Sequence, residues 1–214
     1  MKEDIVVKGI VLSLAPQSEY NKRVQILSDK LGKITAFAQG AAKQSSHLIG
    51  KLRPMTAAEF SLSKGRSAYN IRGVRLIDPF YELSQGLDSS LYGMYFLEMA
   101  AYFGQEGMVE SEAKSMLNLL FVSLSALRQK ALSPMLIRAV YELRLLVIEG
   151  EYTASPEGGE GFRELWKRTI ASPLSKLYEP SAYTDEKACE AFIREALDMS
   201  KRLCGHEFRS LKLL

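Results

Sequence analysis

Residues 23–39, RVQILSDKLGKITAFAQ, decide the fold of the first part of the chain. Polar and apolar residues alternate on both sides of the central stretch 29–33, and this is the period of a half-buried β-strand. Gly32 can adopt the positive φ that a tight turn requires. The stretch therefore predicts a β-hairpin with strands at 23–28 and 34–39.

Three more short strands accompany this hairpin. Residues 5–14 are apolar and β-branched, and Gly9 within them indicates either a bulge or a close backbone approach. Residues 56–63 and 68–77 form two further strands, joined by a turn at 64–67. Five short strands with a long connection after the third predict an OB-fold, a small Greek-key barrel. An SH3-like barrel is the main alternative.

Beyond Asp78 the sequence pattern changes from strand to helix, because apolar residues recur every three or four positions. Ser133 and Thr184 can each cap a helix, and Pro134 suits a first helical turn. Residues 151–161, EYTASPEGGEG, are rich in glycine and glutamate and predict a mobile loop. The predicted helices lie at 87–103, 111–130, 134–149, 162–170 and 185–204.

The two parts of the chain also differ in charge. Residues 1–80 carry 13 Lys and Arg against 6 Asp and Glu, a balance of +7. Residues 81–214 carry 15 against 19, a balance of −4. The expected organisation is α+β, with an OB-fold domain at 1–80 followed by an all-helical domain at 81–214. A basic first domain indicates an anionic partner, and nucleic acid is the commonest one.

The sequence contains no pattern typical of an enzyme. The HExxH, CxxC, Walker A and GxSxG motifs are all missing. His47 and His206 have no cysteine or acid at metal-ligand spacing, so neither a metal nor another cofactor is expected. Cys189 and Cys204 are interpreted as reduced, structural thiols. These observations favour a binding protein.

Neither a membrane nor a secretory location is indicated. No apolar run approaches the ~18 residues that a membrane-spanning helix needs. Residues 1–4 carry two acids and lack the basic start of a secretory signal. We therefore expect a cytoplasmic protein with no membrane partner.

A series of motifs between residues 8 and 43, KGIVLSLAPQSEYNKRVQILSDKLGKITAFAQGAAK, has a known counterpart. A strand ending in GIVL, a tyrosine-containing loop, an acidic-Lys-Leu-Gly turn and a Gly-Ala-basic loop follow one another there. In this order they resemble the bacterial RecO family. Residues 52–78 are similar to the family's last two barrel strands, and residues 95–98 and 208–212 to parts of its helical domain.

One feature of many RecO proteins is missing from this chain. Those members carry a four-cysteine zinc site near the position of residues 150–152, and this chain has no cysteine before Cys189. Members without zinc exist, so the resemblance implies a RecO-like protein with no zinc site.

The resemblance implies a role in recombinational DNA repair. RecO proteins bind single- and double-stranded DNA, and they anneal complementary strands. With RecR they load the recombinase onto DNA that is coated by the single-stranded-DNA-binding protein. They also grip the acidic, Phe-ended tail of that coating protein. A location in the bacterial cytoplasm, associated with the nucleoid, accompanies these activities.

An OB-fold barrel binds single strands with basic groups for phosphates and aromatic faces for bases. Tyr20 lies in a predicted loop and is a candidate for stacking on a base. Phe37 shares a strand face with the polar Thr35, so it is either a second stacking residue or part of the core. Arg72 and Arg75 are three apart on one strand and are expected to point to opposite faces. The candidate DNA-binding residues are Arg23, Lys33, Lys43, Lys51, Arg53, Arg66, Arg72, Arg75, Tyr20 and Phe37.

Docking of an acidic, Phe-ended tail requires an apolar pocket with cations beside it. The segment 121–138 contains both residue types, although its leucines are equally typical of a helical core. The candidate docking residues are Leu124, Leu127, Arg128 and Arg138.

Two other binding functions stay open at the level of the sequence. The first is an OB-fold protein that binds RNA. The second is an adaptor whose basic barrel docks an acidic protein.

Overall fold

The computed structural model describes residues 4–43, 46, 48, 50–151 and 157–214. His47 and residues 152–156 of the predicted mobile loop lie outside the described residues. The strands are β1 (Ile5–Pro16), β2 (Lys22–Ser28), β3 (Gly32–Ala38), β4 (Ala57–Lys64) and β5 (Tyr69–Asp78). The α-helices are α1 (Leu87–Phe103), α2 (Glu110–Gln129), α3 (Pro134–Ile148), α4 (Glu160–Ala171) and α5 (Glu186–Cys204). Short 3-10 turns lie at Tyr81–Gln85, Leu174–Lys176, Pro180–Ala182 and Ser210–Leu213.

The five strands form a closed barrel in the order β1-β2-β3-β5-β4. Neighbouring strands are antiparallel, except that β3 and β5 pair in parallel at Ala36–Tyr69 and Phe37–Asn70. A five-stranded barrel with this parallel closure is the OB-fold, so the predicted fold class is confirmed.

Alternation along β3 explains how the barrel fills its interior. Ile34, Ala36 and Ala38 are fully buried in the barrel core, whereas Thr35 and Phe37 between them are half-buried on the outer side. This is the period of two that the sequence predicted.

Two glycines bring backbones together at positions where a side chain would not fit. A Cβ on Gly9 would lie 2.6 Å from Cγ2 of Ile26, so the close approach predicted in β1 is confirmed, and the bulge lies further on, between Val11 and Ser13. Gly32 has a φ of +69°, as the hairpin turn requires.

A bulge in β5 changes the direction of two arginines. Between Ile71 and Gly73 the pairing with β4 skips one residue, Arg72. Ile71 and Val74 both pack into the barrel core, so Arg72 and Arg75 both lie on the outside and are exposed. The prediction of opposite faces is wrong, because the extra residue breaks the period of two.

The chain divides into two compact units. The first comprises Met1–Tyr81 and Leu97–Leu117, and the second comprises Glu82–Phe96 and Asn118–Leu214. Helices α1 and α2 each contribute residues to both units. The domain boundary expected after residue 80 stays a prediction.

Within the first unit, the α1–α2 connection is bonded to the β2–β3 hairpin. The backbone N–H of Lys33 donates to the carbonyl of Gln105 at 3.0 Å, and that of Gly107 donates to Leu31 at 3.1 Å. The Lys33 ammonium donates to the carbonyl of Ala101 at 2.5 Å. These bonds fix the turn end of the hairpin.

The two predicted helix caps have different outcomes. Ser133 caps α3 as predicted, because its side chain accepts from the backbone N–H of Leu136 at 3.3 Å. Helix α5 is capped by Asp185, which accepts from Ala188 at 3.0 Å, so the assignment to Thr184 is wrong. The carboxylate stands three residues before the N–H that it accepts from, and this is the spacing that a cap requires.

Both cysteines are buried and neither is in a disulfide, and burial raises the pKa of each thiol. Among the described residues, no helix is both long enough and apolar enough to cross a membrane. In the same part of the chain, no group of three His, Cys, Asp or Glu side chains is arranged to hold a metal ion.

Candidate nucleic-acid interface

Four side chains from neighbouring strands follow one another across the outside of the barrel. Arg23 of β2 lies opposite Phe37 of β3, Phe37 lies beside Asn70 of β5, and Asn70 lies opposite Ser63 of β4. Directly opposed residues have Cβ atoms about 5 Å apart, so their side chains meet. We call Arg23, Phe37, Asn70 and Ser63 the outer row.

The outer row has a basic end and an aromatic centre. Arg23 is exposed, and Phe37 and Asn70 are half-buried. No carboxylate lies on β2 or β3, which read KRVQILS and GKITAFA. Within the described residues Arg23 makes no ion pair. This face therefore offers a guanidinium and a phenyl ring side by side, with no nearby strand carboxylate to neutralise the guanidinium.

A second feature adjoins the start of β2. Tyr20 is 46% exposed, and the Lys43 ammonium lies 5.4 Å from the centre of its ring, which is a cation–π distance. The N–H of Ala42 donates to the carbonyl of Tyr20 at 3.1 Å. A hydrogen bond with Glu19 raises the pKa of the Tyr20 hydroxyl above its usual value of 10. The Tyr20–Lys43 pair is thus held at the beginning of the β3–β4 connection.

Three of the predicted DNA-binding cations already have protein partners. Lys33 donates to the carbonyl of Ala101. Arg72 donates through Nε to the hydroxyl of Ser63 at 2.9 Å, which places it against the end of the outer row. The third, Arg75, is described next.

Arg75 is bound to a carboxylate on the neighbouring strand. Its Nη2 lies 2.8 Å from Oε2 of Glu59 on β4. Hydrogen bonding to Arg75 lowers the pKa of the Glu59 carboxyl, and the same bond raises the pKa of the Arg75 guanidinium. Arg75 therefore contributes much less positive potential than its exposure suggests.

The remaining predicted cations lie in connections. Arg66 is exposed in the turn between β4 and β5. Lys51 is half-buried and Arg53 is exposed in the β3–β4 connection. The Arg53 guanidinium lies 5.7 Å from the centre of the Tyr81 ring. The structure thus brings Arg23 and Phe37 together and Lys43 and Tyr20 together, and it places the other cations apart from these pairs.

Two residues of this surface, Asn70 and Tyr81, were not predicted. Asn70 lies in the outer row because β3 and β5 pair in parallel. Tyr81 contacts Arg53, although the two residues are 28 positions apart in the chain. Neither residue has a local sequence signal. The alternation that exposes Phe37 could have identified Asn70, once the strand order was known.

The predicted docking residues occupy different environments in the helical unit. Leu124 is 0% exposed and Leu127 is 2% exposed, so both belong to the core and neither presents a surface to a partner. The expectation that these two leucines contact a docked partner is therefore wrong, because both lie on the face of α2 that packs inward. Arg128 is half-buried. Arg138 is half-buried too, and it lines a cavity.

The cavity beside Arg138 measures about 330 Å³ and lies between α3, α5 and the C-terminal segment. Arg138 donates through Nε to Oε1 of Glu142 at 2.6 Å, and the Tyr95 hydroxyl donates to the same oxygen at 2.6 Å. The pKa of the Tyr95 hydroxyl is far above its usual value, mainly because the group is buried and secondly because the Glu142 carboxylate lies beside it. The walls that matter for a ligand are Tyr95, Arg138, Leu197, Lys201, Phe208 and Leu211.

These features define a class of protein, namely an OB-fold barrel whose β2–β3 face is basic and carries no carboxylate, followed by a set of α-helices. Within that class, the family model for the recombination protein O N terminal matches residues 1–80. The chain belongs to the RecO family.

Three relatives illustrate the similarity, each named DNA repair protein RecO. The protein of Caldicellulosiruptor saccharolyticus is 30% identical over 146 residues, covering 68% of this chain and 58% of its own. The protein of Clostridium novyi is 29% identical over 143 residues, covering 67% and 55%. The protein of Acetivibrio thermocellus is 31% identical over 143 residues, covering 66% and 55%. The matched region thus spans a little over half the length of these curated relatives.

Proposed function

We propose that this chain binds single-stranded DNA on the outer row of its barrel and acts in recombinational DNA repair. The observation that carries the proposal is the placement of Arg23 beside Phe37 on a strand face without carboxylates. The shared name of the relatives, DNA repair protein RecO, supports the biological setting.

Binding of this kind needs cations for phosphates and a ring for bases. Arg23 and Lys43 contact phosphates in this proposal, with Lys51, Arg53 and Arg66 adding positive potential along the backbone path. Phe37 and Tyr20 stack on bases, which is a sequence-tolerant contact because every base has a π-face. Lys33, Arg72 and Arg75 contribute less, since each already has a protein partner.

The same phosphate contacts serve double-stranded DNA. A protein that holds a strand by its backbone leaves the base edges accessible, and accessible edges can pair with a complementary strand. We therefore infer that the chain anneals strands, and that with RecR it hands single strands to the recombinase. None of these steps breaks a covalent bond, so the proposal requires no catalytic group or cofactor. The expected setting is the bacterial cytoplasm, at the nucleoid.

The cavity beside Arg138 is the proposed docking site for the acidic, Phe-ended tail of the single-stranded-DNA-binding protein. Leu197 and Leu211 supply apolar walls for a phenyl ring, and Lys201 supplies an exposed cation for the carboxylates. Arg138 lines the same cavity, although its guanidinium is bound to Glu142. The predicted role of Arg138 is kept, while Leu124 and Leu127 act only through the core.

The test of DNA binding is fluorescence anisotropy with a labelled single strand across a salt titration. The logarithm of the affinity should fall linearly with the logarithm of the salt concentration, by about 0.7 for each phosphate contact. Affinity that is unchanged between low and moderate salt would contradict the proposal. Preferential binding of an RNA of the same sequence would favour the RNA-binding function, and retention of neither nucleic acid at low salt would favour the adaptor.

The docking site has its own test. A labelled peptide ending in acidic residues and phenylalanine is titrated against the intact chain and against Lys201→Ala. Weaker binding by Lys201→Ala is expected, because a charge-assisted contact is lost. Arg163→Ala is the matched control, since Arg163 is an exposed cation on α4 that does not line the cavity. Equal binding by both variants would exclude this cavity.

A further inference from the structure

A second exposed tyrosine of the barrel unit is paired with an arginine. Tyr81 follows β5 and is 43% exposed. The Arg53 guanidinium lies 5.7 Å from the centre of its ring, and the Tyr81 hydroxyl donates to the carbonyl of Gly50 at 3.4 Å. Lys51 lies between Gly50 and Arg53 in the chain. The result is an aromatic ring held against a basic segment, the same combination that Tyr20 and Lys43 form.

The two tyrosine–cation pairs lie at opposite ends of one connection. Lys43 stands near the start of the β3–β4 connection, and Arg53 stands near its end. Backbone bonds fix the second end to β1: Met55 donates to the carbonyl of Val11 at 2.9 Å, and Val11 donates to that of Thr56 at 3.0 Å. Both pairs are therefore positioned by the barrel itself.

Strand directions place both pairs at the same end of the barrel. β1 is antiparallel to β2 and β4, and β3 is parallel to β5. Consequently β1, β3 and β5 finish where β2 and β4 begin. Tyr20 immediately precedes this end of β2, and Tyr81 comes shortly after β5. Arg66, in the β4–β5 turn, lies at the other end.

We propose that the Tyr81–Arg53 pair, with Lys51, is an additional contact for single-stranded nucleic acid, reached by the same strand that the outer row binds. A base stacks on the exposed part of the Tyr81 ring, while Arg53 and Lys51 contact the flanking phosphates. The DNA strand then runs from the Tyr20–Lys43 pair to the Tyr81–Arg53 pair. This inference rests on the proposed DNA binding and extends its footprint.

The length of the bound DNA strand can distinguish this contact from the outer row. One OB-fold contacts between about 4 and 16 nucleotides, so a strand of about 5 nucleotides reaches the outer row alone, whereas one of about 15 reaches both. Tyr81→Ala should weaken binding of the longer strand about tenfold and leave the shorter strand within about twofold. Arg53→Ala should act on the longer strand in the same direction.

Two further variants act as controls. Tyr81→Phe keeps the ring but removes the bond to Gly50, so it should retain the affinity for the longer strand. Tyr102→Ala removes another exposed tyrosine, 45% exposed and packed edge-on against Phe103, and should have no effect at either length. Both controls are compared with the intact chain by anisotropy at a fixed salt concentration.

Several outcomes would overturn the inference. One is an unchanged affinity of Tyr81→Ala for the longer strand, and another is an equal loss at both lengths, which indicates damage to the barrel. A loss in Tyr81→Phe as large as in Tyr81→Ala would assign the effect to the hydroxyl. If the intact chain binds neither strand, the proposed function itself fails, and this result is distinct from the others.

Discussion

The barrel and the helical unit each contain an Arg–Glu ion pair, and the two pairs have opposite surroundings. On the barrel, Arg75 and Glu59 lie 2.8 Å apart with side chains 71% and 27% exposed. In the helical unit, Arg138 and Glu142 lie 2.6 Å apart with side chains 16% and 1% exposed. Water screens the first pair, which makes it easy to break, whereas the second holds two charges that have lost their hydration.

The comparison shows why a count of cations overstates the positive surface. Arg75 and Arg138 both appear in the sequence as candidates for binding an anion, yet each is already bound to a carboxylate. Arg23 has no such partner among the described residues. An arginine can bind a phosphate only if its guanidinium is not already paired with a carboxylate. That depends on the residue across the sheet or one helical turn away.

The largest expected effect comes from breaking the buried pair. Glu142→Ala should destabilise the protein by about 3–5 kcal/mol, because it leaves the Arg138 guanidinium partly buried without its carboxylate. The Tyr95 hydroxyl loses its acceptor in the same variant. Urea unfolding measures the change. Glu59→Ala is the exposed counterpart and should lower the unfolding midpoint only slightly, because water screens this pair; a similar shift in both variants would contradict the contrast.

The next effect concerns DNA binding by two exposed arginines of the barrel. Arg23→Ala should weaken single-strand binding about fivefold and reduce the salt dependence by about 0.7, the value of one phosphate contact on a single strand. Arg75→Ala should change the affinity less than about twofold, since Glu59 already neutralises that guanidinium. Anisotropy titrations of the two variants at several salt concentrations measure both the affinity and its salt dependence. An equal loss of affinity in both variants would show that Arg75 binds phosphate in spite of its ion pair with Glu59.

A smaller gain is expected from releasing Arg75. Glu59→Gln keeps the shape of the side chain but removes its charge, so the Arg75 guanidinium adds to the positive surface. Single-strand affinity should rise about twofold, and the rise should disappear at high salt because long-range attraction is screened. The double variant Glu59→Gln with Arg75→Ala should lose the gain. If it does not, the effect comes from elsewhere on the barrel.

The smallest effect is a dependence of stability on acid. Arg75 lowers the pKa of Glu59 in the folded protein, so the pair stabilises the fold above the ordinary carboxyl pKa of about 4.3. This contribution is lost as the pH falls through the lower, folded value. Between about pH 5 and pH 3, the intact chain should lose slightly more stability than Glu59→Gln. Parallel acid titrations of both proteins, followed by circular dichroism, test this sign.

Local sequence patterns were sufficient to predict the barrel strands and most helix positions. The alternation of Ile34, Thr35 and Ala36 depends on a period of two that each strand expresses alone. The cap at Ser133 is also local, because it joins residues three positions apart. These features involve residues near one another in the chain, so a single sequence contains the necessary information. The close approach at Gly9 was indicated by the glycine alone, although the side chain that it meets, Ile26, is 17 positions away.

Most of the errors came from contacts between distant parts of the chain, whereas the wrong cap residue, Thr184, is a local error of one position. The bulge at Arg72 arises from the pairing of β5 with β4, which no local pattern reveals. Burial of Leu124 depends on which face of α2 the other helices cover. The pairing of Arg75 with Glu59 joins residues 16 positions apart. The sequence identified the basic region, but the choice among its cations required the register of the sheet.

The bulge at Arg72 also gives β5 one residue more than a regular ladder with β4 needs. Without Arg72, Gly73 would follow Ile71 on the outer side, so Val74 would still pack into the core and Arg75 would stay outside. Removal of both Arg72 and Gly73 would instead turn Val74 toward solvent and Arg75 toward the barrel core, where a guanidinium without a partner is very costly to bury. The single deletion should therefore leave the barrel folded, whereas the double deletion should abolish folding.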